Sequence, residues 1–192
     1  MASSAEEIRR QLEESARVKR SFSSELVERI AQYAEKCASA LRTGGKIVFF
    51  GNGGSAADAV HLAAELVVRL RAERRGLAAL ALTANPSVLT AAGNDYGFEK
   101  IFSRQIESIV GPQDVLTALS TSGKSPNIIH GLEAGRARAA YLAAFTGETG
   151  GALTGKVDLL LNVPSHDPQR IQEAHITMGH IACALIEQLI GA

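Results

Sequence analysis

The chain has 192 residues, and its 20 Lys and Arg balance 20 Asp and Glu, so the formal charge is zero with His neutral. That balance argues against a dedicated nucleic-acid binder, whose basic excess offsets phosphate charge. With 46% hydrophobic and 21% charged residues, 18 Gly and 5 Pro, the composition excludes disorder, collagen and a disulfide scaffold, and fits one globular domain over residues 1–192.

The opening run from Met1 to Arg10 is polar and charged, without the apolar stretch of a secretory signal, and no later apolar run approaches the roughly 18 residues of a membrane span. A cytoplasmic protein with no membrane association is expected. Apolar residues recur three and four apart over residues 4–19 and again over 24–42, where Leu26, Ile30, Tyr33, Ala34, Cys37 and Leu41 carry the period of an amphipathic helix. Gly44-Gly45 closes the second helix. The first precedes any strand it could cross over to, so it is expected to pack on a second subunit or to form a mobile arm. Cys37 and Cys183, the two cysteines, each lie in an apolar helical pattern and read as reduced, packed thiols.

Ile47-Val48-Phe49-Phe50 is a continuous apolar run, the pattern of a strand buried on both faces. Similar runs follow at residues 79–83, 115–120, 141–146 and 159–163, separated by helical stretches at 55–70, 86–92, 102–109, 126–138 and 171–190. This alternation predicts an α/β fold, a three-layer α/β/α sandwich around a parallel sheet, with residues 1–43 as extra N-terminal helices on a core of residues 44–192. Ligands of such sheets bind beyond the carboxyl ends of the strands, where the strand order reverses.

Two strand-to-helix turns hold the small and polar residues that such a site needs. The first strand runs into Gly51-Asn52-Gly53-Gly54-Ser55-Ala56-Ala57-Asp58, and the third into Ser120-Thr121-Ser122-Gly123-Lys124-Ser125-Pro126-Asn127. Glycines allow positive φ and close approach to a ligand, and the free N–H groups of the following helix attract an anion. The hydroxyls of Ser120, Thr121, Ser122 and Ser125 can surround a phosphate with neutral donors, although a Ser-rich turn taken singly is more often a helix cap. Neither turn is a nucleotide fingerprint: the first is not G-x-G-x-x-G, and the second lacks the upstream glycine of a P-loop. No nucleotide cofactor is expected.

His61 and Glu65 stand four apart and share a helix face, and Gln172 and His180 stand eight apart, about 80° of rotation, on the last helix. These four side chains could converge on a divalent metal such as zinc, and Glu with His makes a proton-transfer pair. Alternatively, His61 and Glu65 form a surface salt bridge. His130 reads as a solvated helix residue, His166 as a loop residue and His175 as a structural histidine. Asn94-Asp95, beside Gly93 and Gly97, reads as a turn able to hydrogen-bond sugar hydroxyls.

Together, Gly51 to Asp58, His61 with Glu65, Leu89 to Gly97, Phe102 to Gln105, Leu119 to Ser125, and Arg170-Ile-Gln-Glu-Ala-His175 followed by His180 make the chain resemble the phosphoheptose isomerases of the sugar isomerase (SIS) superfamily, over nearly its whole length. The resemblance implies a flavodoxin-like five-stranded parallel sheet of order 2-1-3-4-5 and a homotetramer with active sites between subunits. It implies conversion of sedoheptulose 7-phosphate to D-glycero-D-manno-heptose 7-phosphate through an enediol, the entry to activated heptose for lipopolysaccharide core or other surface glycans.

By the same resemblance Glu65 and His180 are the acid/base residues, and Ser120, Thr121, Ser122 and Ser125 hold phosphate. Asn52, Gly53, Gly54, Ser55, Glu65, Asn94, Asp95 and Gln172 meet the sugar, and one zinc per subunit binds through His61, Glu65, Gln172 and His180. One departure stands out: where relatives carry a hydroxyl or acidic residue before Arg-Ile-Gln-Glu, this chain has Pro168-Gln169. Two other SIS roles compete, a non-catalytic tetramer that binds the replication initiator DnaA and a phosphosugar sensor. The adaptors lose the carboxylate at Glu65 and the imidazole at His180, both present here, and sensors carry an attached domain for which 192 residues leave no room.

Overall fold

A computed structural model describes residues 3–191; Met1, Ala2 and Ala192, part of the opening run and of the single-domain span, lie outside the described residues. Two helices come first, α1 (Ser4–Arg20) and α2 (Ser24–Arg42). Ser3 and Glu6 form a reciprocal capping box at the start of α1, and the Ser23 side chain accepts from Leu26 N–H at the start of α2.

The strands are β1 (Ile47–Gly51), β2 (Ala79–Ala81), β3 (Val115–Ser120), β4 (Tyr141–Thr146) and β5 (Leu159–Asn162). Between and after them lie α3 (Gly54–Val67), α4 (Pro86–Tyr96), α5 (Ser103–Ile109), α6 (Pro126–Ala137) and α7 (Pro168–Ile190). All pairings are parallel, in the order β2-β1-β3-β4-β5. The chain leaves β1 toward β2 and returns to β3 on its other side, so the turns after β1 and β3 flank the point of reversal.

Alternation along β1 explains the layers. Ile47 and Phe49 point into one apolar cluster with α2, α3 and α7, while Val48 and Phe50 point into the other with α4, α5 and α6. Every residue of β1 and β3 is buried, as their unbroken apolar runs require. The three-layer α/β/α expectation and the strand order are both met.

Strand β2 ends at Ala81, two residues short of the expected run, and three helix boundaries move by more than one residue, each for a local reason. The turn expected at Asn94-Asp95 is the last turn of α4: Gly93 is accommodated inside the helix, and Gly97, at φ +84°, ends it. Helix α7 starts at Pro168 rather than residue 171, because the Asp167 side chain accepts from Gln169 N–H and Pro168 suits the first turn. Helix α3 stops at Val67 rather than residue 70, where the amides and carbonyls find side-chain partners described below.

Helix α1 finds a partner within its own chain. Val18 is buried, and the Arg170 guanidinium of α7 donates to the Gln11 carbonyl at 2.8 Å and to its side chain at 2.9 Å, while Ile8 and Leu12 stay exposed. Cys37 and Cys183 are buried free thiols, both pushed up by burial. No helix among the described residues is long and apolar enough to cross a membrane.

Candidate active site

Helices α3 and α7 cross beside the first turn, and the crossing is close because one of the facing residues is glycine. A Cβ on Gly179 would stand 2.5 Å from Leu62 Cδ2, so only the missing side chain lets the helices approach at this level. Leu62 and Leu66 occupy the buried face of α3, which leaves His61 and Glu65 along its edge toward α7. His180, next to Gly179, meets them there.

The His61 and His180 Nε2 atoms are 2.8 Å apart with their rings edge to face, and His61 Nε2 lies 3.2 Å from Glu65 Oε1. One ring nitrogen donates and the other accepts, so the three side chains form a path along which a proton can pass. The path is open to solvent at one end: the His61 side chain is 48% exposed and that of Glu65 17%. A surface salt bridge alone therefore does not describe the His61 and Glu65 pair.

The same three ligand atoms lie within 4.8 Å of one another. Two imidazole nitrogens and a carboxylate oxygen are a donor set that zinc accepts in open, reactive sites, so the residues fit such an ion. Gln172, the fourth sequence candidate, lies at the edge of the first turn, where a Cβ on Gly54 would stand 2.7 Å from its Nε2. Asp58, one turn before His61, has a buried carboxylate oxygen without a partner among the described residues. Burial raises its carboxyl above the ordinary range, against the pull of His61.

The first turn is shaped from within. Gly53 takes φ +56° as the N-cap of α3, with no side chain capping the helix, and Ser55 is buried just inside it. The Asn52 carboxamide exchanges two 2.9 Å hydrogen bonds with that of Asn127, at the start of α6. That buried partner, which the sequence reading did not single out, ties the turn after β1 to the turn after β3. A cleft of about 590 Å³ opens beside it, lined by Asn52, Gly53, Thr83, Leu89, Phe98 and Phe102 among others.

The second turn keeps hydroxyls in reserve. Ser120 Oγ accepts from Gly123 N–H at 3.1 Å and Ser122 Oγ from Lys124 N–H at 3.2 Å, which leaves both O–H groups free to donate. Ser125 is the N-cap of α6 without a capping hydrogen bond from its side chain. Gly123, at φ +61°, sits against the Gly150 carbonyl, and the Thr121 carbonyl accepts from Gly147 N–H, so the turn is braced by the loop after β4.

Other candidates stand apart. Asn94 and Asp95 bond to each other at 2.8 Å on the exposed end of α4 and make no hydrogen bond to the residues above. His130 approaches the Glu99 carbonyl at 3.3 Å, and exposed His166 pairs with Glu148 at 2.7 Å. His175 is fully buried, its Nε2 3.2 Å from the Thr146 carbonyl; burial pushes its imidazole down to about 4 despite that bond. Its burial fits the structural role read from sequence, though its Nδ1 is buried without a partner among the described residues.

With this geometry in place, comparison with known proteins is direct. The SIS domain family matches residues 11–147. The chain is 48% identical over 185 residues to a phosphoheptose isomerase of Aquifex aeolicus, covering 96% of this chain and 97% of that one. It is 48% identical over 183 residues to the phosphoheptose isomerase of Geobacter metallireducens, covering 95% and 97%. The solved phosphoheptose isomerase of Neisseria gonorrhoeae superposes with a TM-score of 0.92 at 42% identity, over 97% of this chain and all of that one.

Proposed function

The chain belongs to the phosphoheptose isomerases of the SIS domain family, and from that premise we propose that it interconverts sedoheptulose 7-phosphate and D-glycero-D-manno-heptose 7-phosphate with the residues described above. The observation that supports this assignment of residues is the meeting of Glu65, His61 and His180 across two helices.

A ketose becomes an aldose when a proton leaves C1, a cis-enediol forms and a proton returns at C2 while the two oxygens exchange theirs. That chemistry needs a base and an acid within hydrogen-bond reach of neighbouring carbons and oxygens. Glu65 takes the C1 proton, and His180 serves the opposite side of the sugar. The phosphate rests on the hydroxyls of Ser120, Thr121, Ser122 and Ser125, and the free N–H groups at the start of α6 add to its anion preference. Asn52, Gly53, Gly54, Ser55 and Gln172 hold the sugar hydroxyls.

His61, Glu65, Gln172 and His180 are the residues that would hold one zinc per subunit. The chemistry such an ion supplies is Lewis-acid polarisation of a carbonyl oxygen. We also propose a homotetramer with active sites shared between subunits. Ile8 and Leu12 on α1, Val67 and Val68 at the end of α3 and Ile181 on α7 are exposed apolar side chains, a pattern that suits subunit contact. Asn94 and Asp95, exposed and unconnected to Glu65 within one chain, suit a site completed by a neighbour. A cytoplasmic setting and a role in supplying heptose to surface glycans complete the reading.

The test is incubation of the purified protein with sedoheptulose 7-phosphate in D2O, with added zinc and separately with a chelator, followed by NMR. Appearance of an aldoheptose 7-phosphate is expected, and its loss with chelator would assign the metal a part. No conversion under either condition would overturn the proposal and favour a non-catalytic SIS role.

A further inference from the structure

Seven residues, two turns, beyond His180 on α7, Glu187 is 2% exposed. Its carboxylate faces Arg74, whose side chain is 4% exposed: Nη2 and Nε lie 2.9 and 3.0 Å from Glu187 Oε1. Glu187 also accepts from the backbone N–H groups of Leu70, Arg71 and Ala72 at 3.0, 3.2 and 3.2 Å. Of its remaining donors Arg74 gives one Nη1–H to the Arg75 carbonyl at 3.1 Å and turns the others on the end of α3, Nη1–H to the Leu66 carbonyl at 2.8 Å and Nη2–H to the Glu65 carbonyl at 2.9 Å. The last two are carbonyls that a helix end leaves without partners of its own.

One guanidinium thus grips the backbone of Glu65 and, through Glu187, the helix that carries His180. A pair of apolar side chains would fill the same seam without the desolvation cost of two charges, but would leave the three backbone N–H groups and the Glu65 and Leu66 carbonyls without these partners. An apolar pair would not fix the Glu65 carbonyl at a set distance from α7. We propose that Arg74 and Glu187 are a positioning pair that sets the spacing of Glu65 and His180 and thereby the rate of the chemical step. The inference rests on the acid/base reading of those two residues. Its mechanistic weight comes from the steepness of proton transfer with geometry, where a displacement of about 1 Å can cost on the order of 100-fold.

The experiment compares the parent with the double variant Arg74→Met/Glu187→Met and with Arg74→Lys. It measures kcat and KM for sedoheptulose 7-phosphate, thermal unfolding, and the imidazole NMR signals of His61 and His180. For the double variant, kcat should fall roughly 30- to 100-fold with KM within about twofold, and both imidazole signals should move while the protein stays folded. Arg74→Lys keeps a charge opposite Glu187 and recovers part of kcat. If the double variant does not fold, Arg74→Lys decides by the same readouts, with a kcat loss of about tenfold expected. Parent-level kcat with unmoved imidazole signals in a folded variant would overturn the pair. Should the parent itself fail to isomerise, the proposed function falls, and the imidazole signals alone decide whether Arg74 positions the cluster.

Discussion

Helices α3 and α7 are joined by two polar clusters that use their groups in opposite ways. At one end His61, Glu65 and His180 share short contacts, but the imidazole of His61 remains half exposed and the set is open to a ligand. At the other, Arg74 and Glu187 are buried, and their charges are taken up by each other and by backbone groups. Burial pushes the Glu187 carboxyl up, and three backbone N–H groups with Arg74 outweigh it, so the group sits below the ordinary carboxylate range. A site that must bind and release keeps bonding capacity unspent, whereas a scaffold spends it.

The largest effect expected from breaking the open cluster is on rate. Glu65→Gln removes the carboxylate proposed as the base but keeps shape and polarity, so turnover should fall about 10³-fold or more while the unfolding temperature stays near the parent value. Steady-state kinetics beside a thermal melt checks both halves. Retained activity would take the base role from Glu65, and a collapse in stability would mean that the open cluster is scaffold after all.

The next effect falls on stability and sharpens the contrast between two histidines of one helix. His175, five residues before His180, is buried, and its folded-state value of about 4 lies below the ordinary 6.5. The folded protein therefore prefers the neutral ring: its contribution is complete above pH 6.5 and is lost as pH falls from 6.5 toward 4. By linkage the loss reaches about 3 kcal/mol at the acid end, an order-of-magnitude figure. Denaturant midpoints measured from pH 7 to pH 4 should show this decline, and His175→Gln should flatten it between 6.5 and 4. The contribution of Glu187 goes at lower pH, since its depressed carboxyl keeps its charge until the solution falls below the usual carboxylate range.

Smaller again is the effect of filling the gap at the helix crossing. Gly179→Ala gains helix propensity worth about 1 kcal/mol, but the new methyl meets Leu62, which is buried and has little room to move. Overpacking costs about 1–3 kcal/mol, so the net change should be a loss of about 1 kcal/mol with a drop in kcat, as the helices separate at His180. A stabilised variant with parent kcat would show that the crossing tolerates separation.

Much of this was legible in the chain. Layers and strand order followed from continuous apolar runs alternating with helical periods, because in a parallel sheet covered on both faces burial is written into every strand residue. His61 with Glu65 was visible as an i,i+4 pair. Their meeting with His180 was not derivable from spacing, since it spans 119 residues and depends on a glycine packed under Leu62. Asn127 was hidden for the same reason, its partner lying 75 residues away. Arg74 was not singled out, since in Arg69-Leu-Arg-Ala-Glu-Arg-Arg75, a charged run at and beyond the end of the helical stretch 55–70, no pattern marks one arginine as buried. Asn94-Asp95 misled because glycine neighbours suggest a turn, while the helix that contains them runs on to Gly97.

The two turns at the reversal point give the finest comparison, and the smallest effect. Asn52 has both ends of its carboxamide engaged by Asn127, so its side chain shapes the first turn, whereas Ser122 in the second accepts one weak local bond and keeps its O–H to give. Removing one of several neutral donors to a phosphate forfeits about 0.5–1.5 kcal/mol. Ser122→Ala should therefore raise KM about 3- to 10-fold with kcat nearly unchanged, because the phosphate is bound alike in the ground and transition states. Asn52→Ala should behave differently: with Asn127 left buried and unpaired, both turns loosen, and stability should fall together with KM rising. Kinetics and melts of the two variants side by side separate the readings. An unchanged KM in Ser122→Ala would remove that hydroxyl from the phosphate site, and a stable Asn52→Ala with only KM altered would show that Asn52 holds the sugar without bracing the turns.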